Sequence, residues 1–416
     1  MQSKNPIQLA VIGGGAAGFM GAIKAAEDGV NSVVIFEGKK KTLEKVRISG
    51  GGRCNVTHAC WDPKELVPNY PRGEIPLLGA FSRFATGDAV EWFSDRGLEL
   101  IQEEDGRMFP QSNSSNDVID CLKQAAKNSG VISYTETNVI SIKYLGAKGF
   151  EIATKQNNYI YASKVLLATG SDPSGYKIAS ELGHKIISAA PSLFSLKIVC
   201  PRLNSCAGIS VDNLNLKLKA EEETFSENGR ILITHRGLSG PAILRLTAFA
   251  ARKLQSVKYK ALLEINWINK TEEYINHLLQ SNRKNNASKT LSSSNPLEGI
   301  PKRVWLYFLN QVEISSNKRW AGLSKKEEKM LSNLIRKDSH IITGKGPYGE
   351  EFVTAGGVSL NQINFRSMES RICKGLYFAG EVLNVDGVTG GFNFQHCWTS
   401  GWIAGRQISK DLNISV

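Results

Sequence analysis

The chain has 416 residues, 41% hydrophobic and 22% charged, with seven cysteines and a formal net charge of +12. That is an ordinary globular composition with room for two or three domains, and no apolar run approaches the roughly 18 to 20 residues of a membrane helix. An odd cysteine count without CxxC pairs argues against a disulfide framework or a zinc site.

The N-terminus enters a fold element directly and lacks a signal peptide's layout, so a cytoplasmic protein is expected. An apolar run at residues 7–12 ends in glycines, a helical pattern covers 16–28, and a second buried-strand run at 32–36 ends at Glu37. That is a β-α-β unit. Residues 85–95 and 116–127 read as amphipathic helices, with Asn116 as the N-cap of the second. Residues 131–143 and 159–168 are strand-like, the latter closing on "LLATG". After Pro191 the composition changes, and 195–199, 213–219 and 231–234 alternate as strands do. "GLSGPAILRLTAFAARKL" opens a helix with Pro241 near its start, and its "GLSGPA" reads as a structural turn. Residues 281–295, "SNRKNNASKTLSSSN", read as a mobile, dispensable loop. Helical patterns flank it, and Ser324-x-x-Glu327 has the spacing of a capping box. From Phe352 onward "TAGGVSL", "GLYFAGEVL" and "GVTGGFNF" return to glycine-rich buried strands. The two ends are alike and the middle is not, which predicts a discontinuous nucleotide domain with an inserted module.

Gly13-x-Gly15-x-x-Gly18 supplies a tight turn, close backbone approach to a pyrophosphate, and helix–strand packing, each excluding a side chain. The helix that follows aims its amides at phosphate. Glu37, 19 residues past Gly18, is placed to accept ribose hydroxyls, so the ligand carries an adenosine diphosphate. A second glycine cluster, "ISGGGRCNVTH" at 48–58, belongs to a long basic connection that NAD alone would not need. FAD reaches further, with Arg53 and Asn55 as hydrogen-bond donors along its lining. "LATG" and "GLYFAGE" then return to the same crevice. "DGVTGGFNFQHCW" reads as a helix start whose positive end would stabilise the anionic reduced flavin.

"VIGGGAAG", "KVRISGGGRCNVTH", "GRMFP", "LLATG", "GLSGPAIL", "TAGGVSL" and "GLYFAGEVLNVDGVTGGFNFQHCWTSGWIAG" together resemble the BaiN-like, aminoacetone-oxidase-like family of FAD-dependent oxidoreductases. The resemblance covers essentially the whole chain. It departs at His58 and Asn384, where the family has asparagine and aspartate. It implies an α/β fold: a discontinuous Rossmann-like FAD-binding domain with an inserted β-rich domain and a small helical domain. The expected boundaries are 1–190, 191–266 (β-rich), 267–337 (helical) and 338–416 (the return). The cofactor contacts it implies are Gly13, Gly15, Ala17, Gly18, Glu37, Gly51, Arg53, Cys54, Val139, Gly170, Gly380, Glu381, Thr389, Gly390, Gly391, Phe392 and Asn393.

No catalytic set stands out. Cys54 and Cys60 are separated by five residues, where the redox pair of flavin disulfide reductases has four, so Cys54 is read as packing. His396 reads as a structural group, and His235, Tyr348, Glu350 and Glu351 are unranked as acids or bases. No metal-ligand cluster is present, and no second GxGxxG would hold NAD(P)H stably, which leaves it as a transient reductant. The expected function is an FAD-dependent oxidoreductase acting on a small organic substrate, with NAD(P)H or oxygen as redox partner. The alternatives are an RNA-modifying flavoprotein, suggested by the +12 charge although the basic residues lack interleaved aromatics, and a non-enzymatic FAD-binding redox sensor.

Overall fold

A computed structural model describes residues 7–156, 158–346 and 353–413. The chain forms two compact units, Met1–Ala189 with Thr354–Val416, and Ala190–Val353.

In the first unit Ile7–Ile12 pairs in parallel with Val33–Phe36 on one side and Tyr159–Leu167 on the other. Ile132–Tyr134 extends the sheet beyond Val33–Phe36, and Leu376–Phe378 extends it beyond Tyr159–Leu167. Strands covered on both faces must be apolar throughout, which is why these runs do not alternate; Leu9, Ala10, Val11, Val165, Leu166 and Leu167 are fully buried. Val139–Tyr144 and Phe150–Thr154 form an antiparallel meander leading into Tyr159–Leu167. The expected single run at 131–143 is therefore two strands, broken around Glu136, whose φ is +53°.

Helix Ala16–Glu27 packs against the C-terminal helix Phe392–Asn413 with glycines at the crossing. A Cβ on Gly401 would stand 2.5 Å from the Ala17 carbonyl oxygen, and one on Gly405 would stand 2.4 Å from that of Gly21. Side chains there would force the backbones apart. The helix expected to be capped by Asn116 spans Ser115–Asn128 and is capped by Ser114, whose hydroxyl accepts the Asn116 N–H. The Asn116 side chain instead accepts from Arg47 at 2.8 Å.

The second unit holds a closed barrel in the order Leu196–Ile198, Gly237–Ser239, Glu223–Thr234, Ser210–Ala220, Ala261–Asn266, Asp338–Lys345. Its interior is filled by alternate residues, among them Leu214, Leu216, Leu218, Ile231, Ile233, Leu263 and Ile342, all fully buried. The boundary expected at 338 is corrected here. Asp338–Lys345 pairs with Ala261–Asn266 and Leu196–Ile198, so it completes the barrel rather than returning to the first unit. The charge is unevenly spread between the units: residues 190–353 hold 25 Lys and Arg against 15 Asp and Glu, a net +10, while the rest of the chain holds 26 against 24, a net +2.

The helical part comprises Glu272–Asn285, Lys302–Gln311 and Lys325–Arg336, the last opened by the expected capping box of Ser324 and Glu327. The stretch at 281–295, expected to be mobile, is corrected as well. Its first five residues finish a helix, and Leu291 is fully buried. The indoles of Trp305 and Trp320 stack at 6.1 Å. They donate to the backbone carbonyls of Leu291 (2.7 Å) and Ser294 (3.2 Å). Two buried N–H groups need acceptors, and this polar stretch supplies them. Leu291→Ala is therefore expected to cost about 2–5 kcal/mol, and Lys284→Ala, on the exposed side, about 0.5 kcal/mol or less. Chemical unfolding of the two full-length variants checks this; equal small effects would return the stretch to a loosely held loop.

Candidate functional site

The fingerprint turn separates glycines the protein needs from one it leaves open. Gly13 has φ +108°, and a Cβ there would lie 2.4 Å from the Ala168 carbonyl oxygen; a Cβ on Gly18 would lie 2.0 Å from that of Gly13. Beside Gly15, whose φ is an ordinary −91°, a Cβ would meet nothing within 4 Å. The two outer glycines are thus fixed by packing and the middle one borders free space, as a pyrophosphate cradle requires. The carboxylate of Glu37 ties the turn together, accepting the Gly14 N–H on Oε2 and the Lys39 N–H on Oε1, both at 2.8 Å. Each oxygen keeps a lone pair for a ribose hydroxyl. Val139 is held near by the Thr137 N–H, which donates to the Glu37 carbonyl at 2.9 Å.

In the second glycine loop Gly50, Gly51, Gly52 and Cys54 all take positive φ, between +57° and +89°. Beside Gly51 and Gly52 a Cβ would again meet nothing within 4 Å. The polar tips that follow bond within the protein. Arg53 donates to Glu103 at 2.6 Å and lies 3.9 Å over the Phe109 ring. The Asn55 amide donates to the Thr57 carbonyl and accepts the Gly391 N–H. The loop is a seat for the start of the C-terminal helix. A Cβ on Gly391 would stand 2.5 Å from the Thr57 carbonyl. The Trp398 indole donates to the Val56 carbonyl at 2.9 Å. The His58 ring lies 2.9 Å from the Gly390 carbonyl and stacks on Phe392, whose own carbonyl accepts the Tyr70 hydroxyl at 2.6 Å. Asn393 bonds both backbone groups of Gly387, and the fully buried Asp386 pairs with Arg72. Thr389 is exposed beside these.

Gly170 and Gly380, at φ +63° and +75°, bring the remaining expected residues together. The Gly380 N–H donates to Ser400 at 2.9 Å, and a Cβ on Gly380 would touch that of Ala17. Glu381 pairs with Lys45, which also donates to Ser171 at 3.3 Å. Burial pulls the Lys45 ammonium down, but Glu381 outweighs it and leaves the group raised and charged. Lys45 was missed in sequence because nothing distinguishes it from the other lysines of a basic connection.

The tempting catalysts resolve by burial. The thiol of Cys54 is fully buried and pushed up to about 12. Burial also raises that of Cys60, with Glu65 and Asp62 adding to it. Neither is a thiolate at neutral pH, so a redox pair lacks its nucleophile. Burial drives the His396 imidazole down to about 4, so it is neutral, with Nε2 3.3 Å from the Gly380 carbonyl and Nδ1 unpartnered. His235 sits in an exposed turn. Tyr348, Glu350 and Glu351 lie outside the described residues. Among the described residues no three His, Cys, Asp or Glu side chains form a metal cluster, and no helix is long and apolar enough to cross a membrane. The turn at Gly240 is structural, because a Cβ there would lie 2.8 Å from the Leu232 nitrogen.

Residues 7–407 match the family described as the HI0933-like protein Rossmann domain. A 3-dehydro-bile acid delta(4,6)-reductase of Clostridium scindens is 29% identical over 97% of this chain and 99% of its own. A ribosomal RNA dihydrouridine synthase of Escherichia coli is 29% identical over 96% and 97%. The 3-ketosteroid delta1-dehydrogenase of Sterolibacterium denitrificans shares the fold, with 12% identity, a TM-score of 0.53, and coverage of 98% of this chain and 100% of that one. The chain belongs to the HI0933-like Rossmann-domain family, a family of FAD-binding oxidoreductases.

Proposed function

We propose that this protein is an FAD-dependent reductase of a carbon–carbon double bond conjugated to a carbonyl, and that the bond belongs to a uracil base of ribosomal RNA. The two kinds of substrate named for its relatives share that chemistry: a 3-keto steroid with 4,6 unsaturation, and a uracil whose 5,6 double bond is conjugated to the C4 carbonyl. FAD bound in the crevice would supply the hydride. Gly15, Gly51 and Gly52 leave it room, Glu37 faces its ribose, and Lys45 holds a charge beside Glu381 at the crevice. NAD(P)H is the proposed electron donor.

The choice of RNA rests on one observation, the +10 charge on residues 190–353 against +2 on the rest. A polyanion uses such a surface through counterion release; a steroid carrying a single charge does not. A depression of about 480 Å³ on this unit is lined by Asn215, Lys217, Asn266, Asn269, Lys270 and Tyr274. The Lys270 ammonium sits 5.4 Å over the Tyr274 ring, a cation and an aromatic face of the kind that unpaired bases stack on. The second reading, a free small enone, is favoured by the 29% identity that spans nearly all of the bile acid reductase.

Gly15→Val adds bulk only to open space, so it should leave the apoprotein's unfolding midpoint unchanged and weaken FAD retention roughly tenfold or more. Gly18→Ala should instead destabilise the fold. Normal FAD affinity in Gly15→Val would place the cofactor elsewhere. For the substrate, the holoprotein with NAD(P)H and ribosomal RNA should form dihydrouridine detectable by mass spectrometry. Lys217→Glu with Lys270→Glu should raise KM for RNA roughly tenfold, with a shallower salt dependence. Turnover of a 4,6-unsaturated 3-keto steroid without any dihydrouridine would establish the second reading.

A further inference from the structure

The +10 charge of the second unit is concentrated at one end of its helical part. Stretches 283–292 and 315–330 hold eight Lys and Arg against two Glu. Backbone hydrogen bonds fold the two stretches onto each other. Thr290 and Arg319 form an antiparallel bridge. The Trp320 N–H donates to the Lys289 carbonyl and the Ala321 N–H to that of Ala287, both at 3.0 Å. Arg283 lies 3.6 Å from Glu328, which ties the end of helix Glu272–Asn285 to the start of helix Lys325–Arg336.

Both acids of this end are engaged inside it. Glu328 is buried against Arg283, and Glu327 accepts from Lys318 at 2.7 Å and closes the capping box with Ser324. Lys284, Lys289, Arg319, Lys325, Lys326 and Lys329 are exposed, and among the described residues none of them has an ion-pair partner. Their placement works against the fold. Lys325 and Lys326 occupy the first two positions of a helix, where its dipole disfavours cations. Lys325 and Lys329 are like charges four residues apart on that helix, which repel. The fold gains nothing from crowding cations here, whereas an anionic partner would be held by them.

We propose that this end of the helical part grips the phosphate backbone of an RNA duplex, through charge and without reading its bases; the choice of RNA rests on the ribosomal RNA reading above. Six exposed cations with no free acid among them attract a polyanion through counterion release. The lysines meet phosphates as point charges, and the Arg319 guanidinium offers two parallel N–H groups to one phosphate. An anionic membrane is the poorer fit, because interfacial binding needs apolar side chains to insert. The indoles of Trp305 and Trp320 are fully buried, and among the described residues of the two stretches only Met330 is a large exposed hydrophobic side chain. Lys270 and Tyr274 sit at the other end of helix Glu272–Asn285, roughly 15 to 20 Å away along its axis. One helix thereby joins a stacking place for an unpaired base to a grip on the backbone several nucleotides away.

The test measures binding rather than turnover, by fluorescence anisotropy of the full-length holoprotein with a short fluorescein-labelled RNA duplex. Lys325→Gln with Lys326→Gln and Lys329→Gln removes three charges while keeping good helix formers. At about 0.1 M salt it should weaken RNA binding roughly tenfold or more and make the salt slope shallower by about 2. The same loss of charge in the first unit, Lys123→Gln with Lys127→Gln and Lys143→Gln, should change binding less than about twofold. Equal effects of the two triple variants would overturn the proposal, as would unchanged RNA binding in the first variant or no RNA binding by the wild type. If the first variant loses binding to phosphatidylserine vesicles but keeps its RNA binding, the surface belongs to a membrane and the proposal falls. The two readings fail separately. Normal RNA binding by the first variant, with dihydrouridine still formed by the wild type, removes only the backbone grip. Loss of RNA binding in that variant, with no dihydrouridine formed by the wild type, removes only the substrate.

Discussion

The first unit depends on two helices that meet without side chains between them. Helix Ala16–Glu27 follows the fingerprint turn and helix Phe392–Asn413 closes the chain, with Gly21, Gly401 and Gly405 at their crossing. Only glycine lets carbonyl oxygens approach within the space a Cβ would fill. Shifting these helices apart would carry Gly380 away from Ala17 and the start of the second helix away from the second glycine loop. The continuity of a domain built from both ends of the chain thus rests on three absent side chains.

That crossing explains why the second glycine cluster lies where it does. Positive φ at Gly50, Gly51, Gly52 and Cys54 curls the loop so that its polar side chains turn back into the protein. Asn55 and Thr57 then take the ends of the C-terminal turn, while the glycine backbone faces open space. The same curl buries Cys54, and burial removes its reactivity. A residue that looks like a redox candidate becomes a packing residue because a thiolate could not be solvated there.

The second unit shows the converse, polar groups buried because something requires them. Trp305 and Trp320 need acceptors, and a polar stretch becomes ordered to provide them. Asp338 accepts from Trp267 and Tyr307 on one carboxylate oxygen, and its other oxygen stands 3.1 Å from His340 Nε2. Removing one member of such a chain leaves an uncompensated buried group, which costs far more than a surface ion pair does.

The sequence by itself determined the parts whose physics is local. The β-α-β turn with Gly13, Gly15, Gly18 and Glu37, the Ser324–Glu327 capping box and Pro241 at a helix start are all readable, because each follows from backbone geometry within a few residues. The strand character of the middle segment was readable for the same reason. Tertiary structure decided whatever depends on a partner distant in the chain. It turned Arg53 toward Glu103, paired Lys45 with Glu381, and ordered 281–295 around two tryptophans. It also assigned Asp338–Lys345 to the barrel. Period and turn chemistry are written along the chain, but the acceptor of a buried donor and the neighbour of a thiol are fixed only when separate segments meet.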